Sequence, residues 1–377
     1  MIRVVDLTHC VAGPFATMLL AELGVDVIKV ERPGGDPWRT HESATEGWTG
    51  FDYLNRRKRS IILDLKSRKG RETLLKLVAT ADAVVENFRP GVMERLRLSL
   101  RSLRRANPTI VLTSISNFGR TGPRRDWQAS ELVLQVMGGI VAATGWQGEA
   151  PMKLGGYAAA HIGGLNAAIA TLASIYGVRT GAERGAHNDI SIQEAFAAHW
   201  ARHISQWIYS GTGTHREPRD SGRQGFPHTL MTKDGYIYLL ALRAEWEAFA
   251  FFFGLEDFIT HEWSDPAMRA TRWSAIDPAF RAAVASRNRL ELFASGAEHG
   301  YTFAPIDDPH SLLQSEQLAA RNFFRPAEVN GGRVLPCPSL PFTGFPPPTT
   351  PNRAPNLGEH TDAVVLELRG SAPAEQR

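Results

Sequence analysis

Arginine, asparagine and aromatic residues recur in three short stretches of this 377-residue chain: ERPGGDPWR at 31–39, ENFRPG at 86–91 and SNFGRTGP at 116–123. A guanidinium group presents a planar fork of donors that matches phosphate or carboxylate oxygens two at a time. A loop that gathers Asn, an aromatic ring and Arg has little packing reason to exist, so ENFRPG reads as a ligand loop. Groups for covalent chemistry are scarcer. There is no GxxxxGK[ST], no GxSxG, no HExxH and no GxGxxG after a strand. The twelve His do not cluster at metal spacing, and no metal site is expected. Cys10 and Cys337 are too few for a disulfide framework and read as small buried hydrophobes. His161 and His199 fall in apolar helical stretches, where a satisfied core histidine is the expectation.

The elements that must position these loops alternate. Apolar strands at 4–7, 25–31, 60–65, 83–87 and 109–116 are separated by helical stretches, the first running from Pro14 to Gly24. This alternation predicts an α/β fold with a parallel sheet and helices on its faces, and ligands bind outside the carboxyl ends of such strands. The three loops fall at those ends. From 129 to 180 the chain is helical and rich in small residues, followed by strand NDISI and one long helix, EAFAAHWARHISQWIYSG. A polar linker at 211–228 would lead to a smaller α+β domain at 228–325, with 1–210 and 330–377 forming the large domain. The Pro-rich tract 335–355 must be extended loop, and a final helix has Thr361 as its N-cap.

Charge narrows the ligand. Residues 1–130 carry 22 Lys and Arg against 14 Asp and Glu, while the rest of the chain is net acidic. The runs Arg56–Arg59 and Arg101–Arg105 have no aromatic interleaving and no nucleic-acid module around them, so no nucleic-acid partner is expected. They read as a solvated face or a site for a small phosphorylated ligand. No run approaches the roughly 18 apolar residues of a membrane span, and the N-terminus lacks a signal-peptide layout. A cytoplasmic protein without a membrane partner is expected.

Long ordered blocks carry a resemblance. DLTHCVAGPFATMLLAELGVDVIKVERPGGDPWR, LNRRKRSIILDLKSRKGRETLLKLVATADAVVENFRPGVMERL, NPTIVLTSISNFGRTGP and the late LGEHT closely resemble the class III CoA-transferase family, also called CaiB/BaiF. The resemblance implies a Rossmann-like large domain built from both chain ends, a small middle domain and two chains interlocked like links. It implies coenzyme A or an acyl-CoA as ligand. Contacts to it would come from Val11, Ala12, Arg32, Leu63, Lys66, Asn87, Phe88, Arg89, Arg95, Gln128, Ala129 and Ser130. A basic N-terminal third suits the pyrophosphate and ribose phosphate of CoA.

One position departs from the family. The resemblance implies an Asp nucleophile that forms an aspartyl anhydride and then an aspartyl-CoA thioester, and the ungapped match puts Ala160 there. No Asp or Glu occurs between Glu149 and Glu183, so no register shift supplies one. A methyl group is no nucleophile. Related racemases use a His–Asp pair, whose His position holds Ser130 here. Glu131 and His161 remain as acid–base candidates. Three readings follow: a nucleophile-free subunit of a heteromeric CoA-transferase, homologous to an Asp-bearing partner; an enzyme with altered CoA-ester chemistry, a lyase, hydratase or isomerase using Glu131 or His161; and a non-catalytic CoA-binding scaffold. A homodimer or such a heterodimer is the expected assembly.

Overall fold

The computed structural model describes residues 1–40, 50–213, 216, 228–240, 246–329, 332–346 and 348–370. Most of the stretch 211–228 read as a linker lies outside the described residues. The chain divides into two compact units: Met1–Val141 with Lys153–Thr212 and Ala320–Arg377, and Ala142–Met152 with Gly213–Ala319.

In the larger unit strands and helices follow one another as β1 (Arg3–Asp6), α1 (Ala12–Glu22), β2 (Asp26–Glu31), α2 (Gly50–Asn55), β3 (Arg59–Ile62), α3 (Arg68–Val78) and β4 (Ala83–Glu86). Then come α4 (Val92–Arg95), α5 (Leu100–Ala106), β5 (Val111–Ser116), α6 (Glu131–Met137), α7 (Ala158–Arg179), β6 (His187–Ser191), α8 (Ile192–Ala198) and α9 (Ala201–Ser210). The six strands pair in parallel in the order β3-β2-β1-β4-β5-β6. That is the doubly wound, Rossmann-type order, whose direction reverses between β1 and β4. Successive strand residues point to opposite faces, and the core divides accordingly. Val4, Val27, Val85 and Val111 pack with α1 and α7, whereas Val5, Ile28, Val84 and Leu112 pack with α3 and α5. Helix α7 approaches α1 so closely that a Cβ at Gly164 would lie 2.4 Å from the Ala12 carbonyl oxygen.

The smaller unit holds β7 (Thr229–Met231), β8 (Tyr236–Leu240), α10 (Trp246–Phe252), α11 (His261–Ser264), α12 (Pro266–Ala285), α13 (Arg289–Glu298), β9 (Thr302–Pro305) and α14 (Pro309–Leu313). An antiparallel β7-β8-β9 sheet covers a core of Trp246, Phe249, Phe253, Trp273, Phe280 and Phe303. Helix α15 (Glu316–Ala320), the hairpin β10 (Phe324–Val329) and β11 (Arg333–Pro338), and α16 (Thr361–Gly370) complete the chain.

The structure corrects several local expectations. The run Arg56–Arg59 is neither a solvated face nor a ligand site, because its residues form internal ion pairs. Arg56 and Arg57 meet Glu22 at 2.6 and 3.1 Å, Lys58 meets Asp6 at 3.0 Å, and Arg59 meets Asp26 at 2.7 Å. The 22-residue α7 is long and apolar enough to cross a membrane, contrary to the expectation, yet half of its apolar window is buried against neighbouring elements. The stretch after β6 is two helices, broken where the Trp200 ring lies against Gly139. His199 is exposed at that break. Pro14 sits in the third helical position behind the cap residue Val11, where its missing N–H is still no loss. Thr361 is the first residue of its helix rather than the cap, and its hydroxyl donates to the Gly358 carbonyl. Pro336 and Pro338 lie inside β11, which a two-stranded ribbon tolerates because it has an unpaired edge.

Asp6 is wholly buried at the end of β1. Burial alone would raise its pKa, but Lys58, Lys29 and the Thr8 and Thr17 hydroxyls outweigh it and hold the carboxyl down to about 2. A carboxyl depressed on folding stabilises the fold above its unfolded pKa and loses that contribution as pH falls through the folded value. Asp6 should therefore add about 2 kcal/mol at neutral pH, lost between about pH 5 and 2. Urea midpoints measured across that range should fall more steeply for the wild type than for the double variant Asp6→Leu/Lys58→Met.

Candidate functional site

Two cavities open at the carboxyl ends of the strands. The first, about 370 Å³, is walled by Leu7–His9 after β1, Glu31 and Arg32 after β2, Leu63–Lys66 after β3, and Phe88 after β4. The second, about 260 Å³, lies on the β4–β5 side and is walled by Asn87–Pro90, Ser116, Asn117, Trp127–Ala129 and Ala12 at the start of α1. Phe88 belongs to both. The residues singled out from the sequence thus gather into two groups: Arg32, Leu63, Lys66 and Phe88 on the first cavity; Ala12, Asn87, Phe88, Arg89, Gln128 and Ala129 on the second. Arg95 lies on neither. It is exposed on α4 and lines a third hollow with Arg120 and Arg125. Val11 is buried as the cap of α1, and Ser130 caps α6 by accepting the Val133 N–H at 3.4 Å.

Charge beneath the first cavity is built into the fold. Lys29 lies in the middle of a parallel sheet, wholly buried, with its ammonium 2.9 Å from Asp36 and donating to the Thr8 carbonyl at 2.9 Å. Glu31 takes a two-pronged grip from Arg39 at 2.7 and 2.6 Å and accepts from Ser60 at 2.6 Å. These bonds fix the 31–39 loop against β2, leaving Arg32 exposed at the rim and donating to the Gly35 carbonyl at 3.1 Å. His9 and Asn87 exchange two hydrogen bonds across the β1–β4 switch at 2.9 and 2.8 Å. Burial pushes the His9 imidazole below its ordinary pKa, so it is neutral at pH 7. Sequence reasoning missed Thr8, His9, Lys29 and Asp36. The signal was a Lys inside an otherwise apolar parallel strand, since such strands are buried on both faces and a charge there must find a partner.

Ala160 occupies the first turn of α7, 8% exposed and packed in the apolar cluster with Ala12, Ala16 and Leu134. The Glu131 carboxylate caps this helix, accepting from the Ala159 and Ala160 N–H groups at 2.7 and 3.1 Å. Fully buried Gln135 donates to Glu131 at 2.7 Å and accepts from the Leu154 N–H at 2.8 Å, tying the approach to α7 to α6. Three N–H groups therefore converge on Glu131. His161, one residue on, packs its ring against Phe15 with centroids 4.5 Å apart, and burial lowers its pKa although Glu131 opposes the shift.

The doubly wound sheet with two Arg-rimmed cavities at its switch point defines an α/β protein of the Rossmann type, in which ligands bind at that crevice. The chain matches the CoA-transferase family III over residues 1–361 and belongs to that family. It is 31% identical to a formyl-CoA:oxalate CoA-transferase of Rhodopseudomonas palustris, in an alignment covering 98% of this chain and 93% of the relative. With the succinyl-CoA:(R)-benzylsuccinate CoA-transferase subunit BbsE of Thauera aromatica it shares 30% identity, covering 97% and 93%. A CaiB/BaiF family protein from Brucella suis has the same fold, with a TM-score of 0.86, 29% identity and coverage of 97% and 98%.

Proposed function

We propose that this chain binds a CoA thioester across the two switch-point cavities and serves as the nucleophile-free subunit of a heteromeric CoA-transferase that moves CoA between carboxylic acids. The observation that carries the reading is the methyl group of Ala160 at the start of α7, where the family resemblance implies a carboxylate. A relative whose name makes it one subunit of a CoA-transferase supports it. Use of Glu131 as an acid–base group fits the geometry less well, because its oxygens are taken up in holding α7.

In this reading Arg32 and Arg89 meet the CoA phosphates from the rims of the two cavities. Arg32→Ala and Arg89→Ala should each weaken CoA binding roughly tenfold in calorimetry. Binding by the unmutated chain should weaken as salt rises, through screening. Unchanged affinity in both variants would remove these residues from the site.

The assembly proposed is an interlocked dimer, with a homologous Asp-bearing chain or a second copy. Support comes from apolar surface left open on the larger unit: Leu165, Ile169 and Tyr176 form a stripe along α7, and Ile204, Trp207, Ile208 and Tyr209 stand exposed on α9. Sedimentation at micromolar concentration should show no stable 41.5 kDa species; a single such species would contradict the dimer.

A further inference from the structure

We propose that Arg120 is a positioning residue, holding the Asn87–Arg89 loop and the 116–123 loop in register as walls of the second cavity. The inference rests on the CoA-ester reading for the nature of the ligand, but its geometry stands apart from it. Gly119, at φ +83°, turns the chain after β5 so that the Arg120 N–H points back to Asp189 on β6, meeting its two carboxylate oxygens at 3.1 and 3.0 Å. The Arg120 guanidinium then reaches across two other elements. It meets Glu86 at the end of β4 at 3.2 Å and Glu94 on α4 at 2.8 Å. Glu86 is 0% exposed, and its other oxygen accepts the Phe88 N–H at 2.8 Å.

One residue therefore links the end of β5 to β6 through its backbone N–H and to β4 and α4 through its side chain, and the bond it supports ends on Phe88, which lines both cavities. Arg120 lines neither of the two cavities, and two of its guanidinium nitrogens are held by carboxylates, so it acts through Glu86 and Phe88 rather than by touching the ligand. Without it Glu86 is a buried carboxylate deprived of its cation, and a carboxylate that turns outward to regain solvation releases Phe88.

The test uses the full chain as Arg120→Gln and as Arg120→Gln/Glu86→Gln. Two quantities are read: hydrogen exchange at the Phe88 amide in the free protein, and calorimetric affinity for CoA. The single variant should exchange Phe88 about tenfold faster and bind CoA about tenfold more weakly. The double variant should return both to within about threefold of wild type, since a neutral amide leaves no unpaired charge and its oxygen still accepts from Phe88. A general structural defect would not be repaired by a second substitution at Glu86. Wild-type exchange at Phe88 in Arg120→Gln, or a loss that Glu86→Gln leaves unrestored, would overturn the proposal. If the wild-type chain binds no CoA the ligand reading fails, and the exchange measurement still decides the role of Arg120.

Discussion

Lys58→Met should lower the stability of the larger unit by about 3–5 kcal/mol, the range for removing one partner of a buried ion pair. The Lys58 ammonium is 0% exposed and donates to Asp6, to the Pro14 carbonyl, to Thr17 and to Asn55 at 2.7–3.0 Å. Burial draws its pKa down to about 8 even with Asp6 alongside, which shows how much desolvation this pair carries. Removing the cation leaves Asp6 charged in a closed interior without its direct ion pair, with only the Lys29 charge nearby and, among the described residues, bonds to Thr8 and Thr17. The double variant Lys58→Met/Asp6→Leu should recover most of the loss, because apolar replacement of a whole buried pair is close to neutral. Urea unfolding followed by a probe in the larger unit measures both. A loss below about 1 kcal/mol in the single variant would mean that water reaches the pair.

Ala160→Asp, the substitution that restores a carboxyl at the expected nucleophile position, should give no more than a trace of CoA transfer and should cost about 1–3 kcal/mol of stability. The new side chain would start from a position 8% exposed within an apolar cluster. Its charge would lie beside Glu131, which already holds the Ala160 N–H. Burial and like charge both raise a carboxyl's pKa, so a fraction of it would be protonated and unable to attack a thioester. An acyl-anhydride also needs preorganised donors, and the donors at this helix start are occupied by Glu131. Ala160→Asp/Glu131→Gln, which keeps an acceptor for the helix N–H groups without the charge, should be the more active of the two. Discontinuous assays with an acyl-CoA and a free carboxylic acid measure both; equal inactivity with intact folding would show that more than the nucleophile is missing.

Much of the fold was legible because parallel strands and their helices leave a strong pattern: the strands expected at 4–7, 25–31, 83–87 and 109–116 fall within two residues of observed ones, whereas the one expected at 60–65 runs three residues past the end of β3. The loops that line the two cavities were legible for the same reason, since strand ends in such a sheet face one side. Tertiary pairing was not. Nothing local to Arg56–Arg59 says that Glu22, Asp6, Asp26 and Glu367 will turn inward to meet it, and four successive basic residues look solvated until those partners are placed. Lys29 was passed over within an apolar strand, and only the placement of Asp36 and Asp6 beside it accounts for a charge at the cavity floor. Glu131 was legible as an acid–base candidate, but its capping of α7, a pairing across 28 residues, is encoded by no local motif.

In the proposed role this chain provides a CoA-ester site without a covalent nucleophile. The most direct test of that role is intact-mass spectrometry of the purified chain after incubation with an acyl-CoA and hydroxylamine, alone and with a copurifying homologue that bears the Asp. This chain should show no mass increase in either case, with the hydroxamate adduct on the Asp of the homologue. A trapped adduct on this chain by itself, accompanied by efficient CoA transfer, would contradict that role and would identify the residue that serves in place of position 160.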